Sequence, residues 1–278
     1  MTATIPFWKM HGTGNDFIVF DGEALPAGTD LAALGERLCH RHFGIGADGL
    51  LIRWPSTQGD ACMQIINSDG SEAKMCGNGI RCLAVYLHET AGLSGEMRIE
   101  TLGGLIRPTL VDDGLVRVAM GEPRLLTAQI PVTGYGEDRA VDVPVATNGR
   151  TYAMTTVSMG NPHAVIFVDD LAAVPFEADG PSLEKAPCFP DRANIEFVQV
   201  QSPAAVTMKV WERGAGPTMA CGTGACAVVA SGVLTGRTGR QVAVSLPGGV
   251  LQIDWPADDA EIVMTGPAAT VFKGAFTV

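Results

Sequence analysis

The apolar positions of this chain change period repeatedly, and each change marks an element. Residues 6–21 read as a strand, a glycine turn at Gly12-Thr13-Gly14 and a second strand over 16–20. Asp30 then precedes Leu31, Leu34 and Leu38 at helical spacing. That predicts a capped helix ending in Cys39-His40-Arg41-His42, where basic groups suit the helix dipole and need no further chemistry. After the glycine-rich turn 44–49 come strands over 50–54 and 61–66, then the loop Asn67-Ser68-Asp69-Gly70-Ser71-Glu72. Ile80, Leu83, Ala84 and Leu87 form an i, i+3, i+4, i+7 stripe with Gly92 as its stop, and residues 97–120 alternate in strand fashion.

Prolines and weak alternation over 122–147 predict a crossing segment, after which the pattern restarts. Strands are expected over 152–159, 164–168, 194–201 and 206–211, with Gly160-Asn161-Pro162-His163 as a tight polar turn. The loop 212–216 leads to a second apolar helix over 225–234, and strands over 241–246, 250–254, 261–265 and 270–272 finish the chain. The halves align. Cys76-Gly77-Asn78-Gly79 and Cys221-Gly222-Thr223-Gly224 open the two helices 145 positions apart, and Asn67 and Glu212 each stand nine positions before the cysteine. A divergent duplication accounts for this and predicts two pseudo-symmetric α+β domains with a cleft between them.

Composition narrows the chemistry. With 278 residues, 46% of them hydrophobic and 18% charged, the chain can build a sizeable core. A net charge of −11 without a basic stripe argues against nucleic acid and against an anionic membrane surface. The start Met1-Thr2-Ala3-Thr4-Ile5-Pro6 lacks a signal-peptide pattern, and no apolar run reaches membrane-span length. The seven scattered cysteines read as reduced thiols, so a cytoplasmic protein is expected. Only His40-x-His42 has metal-ligand spacing, so no metal is expected. The five lysines stand in no evident phosphate-binding setting, so neither pyridoxal phosphate nor another cofactor is expected.

A cysteine at a helix start meets unpaired N–H groups and the positive end of the dipole, which favour a thiolate, and the same N–H groups can hold a carboxylate. Two such sulfurs on opposite faces of one α-carbon could invert it, one removing the proton and the other returning one. His163 and Glu212 are candidates to exchange a proton with these cysteines or to bias them by charge, whereas Cys82, inside the first helix, reads as core.

Several stretches in this order resemble the diaminopimelate epimerase family: Lys9 to Phe17, Arg41 to Gly49, Asn67 to Glu72, Met75 to Cys82, Gly160 to His163, Asn194 to Phe197, Glu212 to Gly214 and Ala220 to Cys226. The resemblance implies two β-barrel-like domains, each around a central helix, with the active site in the cleft. The first would cover 1–121 with strands from about 266–278 returning to it, the second 122–265. It implies cofactor-independent interconversion of LL- and meso-2,6-diaminopimelate, a step toward lysine and peptidoglycan precursors. Cys76 and Cys221 would be the acid/base pair, with His163 and Glu212 modulating them. Asn15, Asn67, Asn161, Asn194, Glu212 and Arg213 would hold the substrate, with Gly77, Asn78, Gly222 and Thr223 at the helix starts. A homodimer is implied as well, although Phe272 stands where many members carry a tyrosine linked to dimer contact. The alternatives are a proline racemase, from which Asn78 and the Glu212-Arg213 loop point away, a non-catalytic amino-acid-binding protein, and a thiol redox protein.

Overall fold

A computed structural model of the chain describes residues 3–111 and 114–278. Met1 and Thr2 of the N-terminal stretch, and Asp112 and Asp113 of the alternating stretch 97–120, lie outside the described residues. The chain divides into two compact units, Met1–Ala119 with Thr265–Val278 and Met120–Met264. It is a mixed α+β fold, rich in sheet in both units.

The first unit runs β1 (Thr4–Gly12), β2 (Asn15–Asp21), α1 (Leu31–Cys39), β3 (Gly49–Trp54), β4 (Ala61–Asn67), β5 (Glu72–Ala73), α2 (Gly77–Ala91), β6 (Ile99–Thr101), β7 (Gly104–Ile106), β8 (Thr109–Leu110) and β9 (Leu115–Ala119). The second runs β10 (Val143–Thr147), β11 (Arg150–Ser158), β12 (Pro162–Phe167), α3 (Phe176–Glu184), β13 (Asn194–Ser202), β14 (Ala205–Glu212), β15 (Gly216–Pro217), α4 (Gly222–Leu234), β16 (Gln241–Leu246) and β17 (Gly249–Asp254). β18 (Val263–Pro267) and β19 (Ala269–Thr277) end the chain, and β19 returns to pair with β1.

The two units repeat one topology. β1 and β2 pair antiparallel, β2 and β3 parallel, β3 and β4 antiparallel, β4 and β6 parallel, and β6 and β7 antiparallel. β11, β12, β13, β14, β16 and β17 pair in the same sequence of directions. The short β5 and β15 each hang antiparallel on the strand before the cysteine helix. Each parallel step needs a crossover connection, which α1, α2, α3 and α4 supply.

Local chemistry explains the helices. Asp30 caps α1, its side chain accepting from Ala33 N at 3.1 Å. Gly92 ends α2 in the left-handed region at φ 69°, its N–H bonding His88 O at 3.0 Å. α4 is apolar on nearly every side because sheet surrounds it: it packs on β11, β12, β13, β16 and β17. α2 plays the same part in the first unit, touching β1, β2, β3, β4, β8 and β9.

The other face of each sheet carries a second core. Leu34 and Leu38 of α1 meet Ile18, Phe20, Leu50, Ile52 and Ile66, while Leu183 of α3 meets Ile166, Ile195 and Phe197. α3 was not expected from the sequence, and the crossing segment expected over 122–147 ends in β10. α3 lies close because Gly180 has no side chain: a Cβ there would stand 2.8 Å from the Trp211 ring. Phe20 is fully buried and stacks edge-on to Phe276 of β19 at 5.3 Å. Phe20→Ala is expected to destabilise the first unit by about 3–5 kcal/mol, read as a lower urea midpoint.

Candidate active site

Both cysteines occupy the same structural position. Cys76 is the N-cap of α2, with extended backbone at φ −143°, and its sulfur accepts from Gly79 N at 3.5 Å. Cys221 caps α4 at φ −126° and its sulfur accepts from Gly224 N at 3.4 Å. A sulfur thus fills the place usually taken by a serine or aspartate oxygen, which keeps it at the positive end of the helix.

Around Cys76 the groups are neutral amides backed by a charged cluster. Asn15, the first residue of β2, presents Oδ1 to the Cys76 thiol at 3.7 Å and accepts from Asn78 Nδ2 at 3.1 Å. Its own Nδ2 donates to Asp48 at 2.7 Å, which fixes the amide orientation. Asp48 in turn joins Arg41, Asp16 and Lys9 in an ion-pair network. Burial pushes the Asp16 carboxyl up, but bonds from Arg41 and Lys9 outweigh it and hold the group at about 2. Arg41, just past the end of α1, belongs to this cluster, while the His40 ring caps the turn by accepting from His42 and Phe43 N–H.

The start of α2 is held by Arg81, which is fully buried. Its guanidinium donates to Gly77 O, Asn78 Oδ1, Thr13 Oγ1 and Pro267 O, tying the helix to the β1–β2 turn and to the returning C-terminal segment. Asn67 closes β4, where its Nδ2 donates to Ser71 Oγ at 2.9 Å.

Around Cys221 the groups are titratable. Glu212 is the last residue of β14 rather than a loop residue; its carboxyl accepts from Thr218 Oγ1 at 2.5 Å, and its charge acts on the Cys221 thiol. Burial raises the Glu212 carboxyl, Glu196 raises it further, and Thr218, His163 and Cys221 oppose the shift. His163 differs from the polar-turn expectation: it lies within β12, fully buried, with Nδ1 2.6 Å from Glu196 Oε1 and Nε2 3.0 Å from Asn161 Oδ1. Asn161 Nδ2 reaches Thr223 Oγ1 at 3.4 Å, and that hydroxyl lies 3.5 Å from Cys221 Sγ.

Asn194 bridges strand ends, donating to Pro162 O and accepting from Arg213 N, each at 2.9 Å. The Arg213 guanidinium donates to Asp191 O. Glu184 of α3 braces this corner by accepting from Gly214 N and the Trp211 indole, each at 3.0 Å.

The Cys221 thiol does not follow the expectation for a helix start. Burial, then the Glu212 and Glu196 charges, push it well above its ordinary value, against the pull of Thr223 and the Gly224 N–H. Burial, with the nearby carboxyl groups, outweighs half a unit of helix charge. Among the described residues no group of three His, Cys, Asp or Glu side chains gathers at metal-binding geometry.

The fold is shared with isomerases. A hydroxyproline epimerase from Agrobacterium vitis, solved with trans-4-hydroxy-L-proline, superposes with a TM-score of 0.72 over 99% of this chain and 93% of that one, at 16% identity. That likeness gives the fold: two sheet-rich units of the kind seen in that epimerase. Sequence comparison is finer. The diaminopimelate epimerase of Moorella thermoacetica is 51% identical over 275 residues, 97% of this chain and 98% of that protein. Diaminopimelate epimerase 1 of a Nostoc species is 52% identical over 277 residues, 97% of this chain and 99% of that protein. The family's sequence profile matches residues 7–126 and 155–271, and the chain belongs to the diaminopimelate epimerase family.

The raised Glu212 carboxyl has a signed consequence for stability. The folded state binds this proton more tightly than the unfolded chain, so stability is lost as pH rises from the ordinary value of 4.5 through the raised one. Glu212→Gln removes that loss. The variant is expected to gain melting temperature relative to wild type at pH 8 more than at pH 4, as read by thermal denaturation at both.

Proposed function

We propose that this protein interconverts LL- and meso-2,6-diaminopimelate without a cofactor, using Cys76 and Cys221 as a two-base pair. The observation that carries the reading is the duplicated one: in a chain of this family, each repeat places a cysteine at the N-cap of its central helix. Inversion at an α-carbon needs a base on one face and an acid on the other. One thiolate takes the α-proton as the C–H bond breaks, and the other thiol delivers a proton as the new C–H bond forms, so the thiol and thiolate have exchanged places after each turnover. Negative charge gathers on the substrate carboxylate in between, where N–H groups at the starts of α2 and α4 can meet it.

In this reading Glu212, whose charge acts on the Cys221 thiol, is the group that holds or accepts the Cys221 proton. His163 modulates the same sulfur through intermediates. Asn15, Asn67, Asn78, Asn161, Asn194 and Arg213 supply polar contacts to the substrate, with Gly77, Gly222 and Thr223 at the helix starts. The non-reacting end of diaminopimelate carries a second ammonium and carboxylate, which calls for such a set of amides. The setting is cytoplasmic precursor synthesis for lysine and peptidoglycan. A homodimer is part of the proposal, supported by Val271 and Phe272, which are exposed on the sheet-terminal strand β19.

The test is turnover of LL-diaminopimelate in deuterium oxide under reducing conditions, with L-proline and L-lysine as controls. Each inversion is expected to place one deuterium at the inverted α-carbon of diaminopimelate, and neither control should take up any. Cys76→Ala and Cys221→Ala should each lower turnover on the order of 10³-fold while leaving the protein folded, with no more than the modest fall in melting temperature that loss of a helix cap brings. Near wild-type turnover in either variant would refute the two-base scheme.

A further inference from the structure

The duplication offers an internal control for the residues behind each cysteine. Phe17 of β2 pairs with Gly49, the first residue of β3, and His163 of β12 pairs with Asn194, the first residue of β13. The third residue is Leu51 in β3 and Glu196 in β13. Each lies under its helix start: a Cβ on Gly79 would stand 3.0 Å from Leu51 Cδ2, and one on Gly224 would stand 2.8 Å from Glu196 Oε1 and 3.2 Å from Cys221 Sγ. The second repeat therefore carries a fully buried carboxyl where the first carries an isobutyl group. Burying a carboxyl is costly, and in this position packing does not demand one.

The proton arrangement around Glu196 follows from its neighbours. Asn161 turns its Oδ1 to His163 Nε2, and an amide oxygen only accepts, so Nε2 carries hydrogen. If His163 were neutral in that form and Glu196 ionised, a nitrogen lone pair would face a carboxylate oxygen at 2.6 Å, so a proton must lie between Nδ1 and Oε1. The pair is thus neutral as a whole, which suits two fully buried side chains and a Glu196 Oε2 that makes no hydrogen bond among the described residues. With Nε2 donating to Asn161 Oδ1, Asn161 Nδ2 donates to Thr223 Oγ1, and the Thr223 hydroxyl hydrogen is left to point at Cys221 Sγ.

We propose that Glu196 is a positioning residue for Cys221, fixing the tautomer of His163 and so the direction of a hydrogen-bond chain through Asn161 and Thr223 that ends on the Cys221 sulfur. The chain favours the thiolate of Cys221 at the moment it acts as base. The charged or titratable groups facing that sulfur are Glu212 from β14, Glu196 from β13 and, through Asn161, His163 from β12. The inference rests on the functional reading above only for its kinetic consequence, because the thiol can be titrated directly.

Two substitutions separate the outcomes. Glu196→Leu copies the first repeat and removes the partner of Nδ1. Glu196→Gln can donate its amide N–H to Nδ1 and so keep hydrogen on Nε2. Taken alone, the Glu196 charge raises the Cys221 thiol, but the proton shared with His163 offsets it, and a lone buried imidazole stays neutral, so the loss of chain direction is what the leucine variant reports. The pH profile of iodoacetamide alkylation at Cys221, followed by peptide mass spectrometry with Cys76 as internal reference, is expected to move up by about one unit in Glu196→Leu. It should stay within a few tenths of a unit in Glu196→Gln, with the Cys76 profile unmoved in both. Epimerisation kcat should fall by about 30-fold or more in the leucine variant and recover most of that in the glutamine variant. An unchanged Cys221 profile in Glu196→Leu, or a glutamine variant that behaves like the leucine one, overturns the assignment. If wild type fails to exchange the α-hydrogen of diaminopimelate, the functional reading falls and the alkylation profiles still decide the role of Glu196.

Discussion

The bond from a helix N–H to a cysteine sulfur is the constraint on which the remaining architecture depends. A thiol is a weak acceptor, so a helix that begins on one needs its first turn held by other means. In the first unit Arg81 does this by gripping Gly77 and Asn78 from below. In the second, α4 is enclosed by sheet on nearly every side, and Gly224 allows the turn to settle against Glu196. Each sulfur is consequently held by rigid elements rather than by loops, which is the condition for positioning a base to within a fraction of an ångström.

Much of this was legible beforehand because it is local. Asp30, Gly92 and the stripe from Ile80 to Leu87 state a helix start, a helix stop and a buried face in residue chemistry that needs no tertiary context. The nine-residue offsets of Asn67 and Glu212 proved to be register: each closes the strand that precedes its cysteine helix. α3 was hidden for the opposite reason. Its sequence contains Gly180 and Pro181 and has no sustained apolar stripe, and the helix is held by tertiary contact with Trp211. Propensity gives way to packing there.

The site was legible in its members and obscure in its wiring. His163 follows Asn161-Pro162 and so reads as part of a turn, yet strand pairing starts at Pro162 and carries the ring into the interior. Period-two alternation would put Glu196 on a solvated face, because Ile195 and Phe197 face the α3 core. That face is instead covered by α4, a layer that no window of residues around Glu196 announces. The same holds for Asp48, whose bond to Asn15 depends on a parallel pairing between β2 and β3 across the whole of α1.

The value of the asymmetry follows from the chemistry proposed for the pair. A faithful duplication would set two equal thiols in equal surroundings, and equal groups have no reason to occupy different protonation states. Acid and base must differ at every instant of an inversion, whichever direction it runs. Among the differences between the repeats, three equivalent places gain a titratable group in the second, with His163 for Phe17, Glu196 for Leu51 and Glu212 for Asn67. Those substitutions add titratable groups around one sulfur while the strand order, the parallel crossovers and the helix caps are kept. Retaining the scaffold keeps a cysteine at the N-cap of each central helix, and the added groups load one of the two sulfurs with protons to share, so that like scaffolds hold unlike thiols.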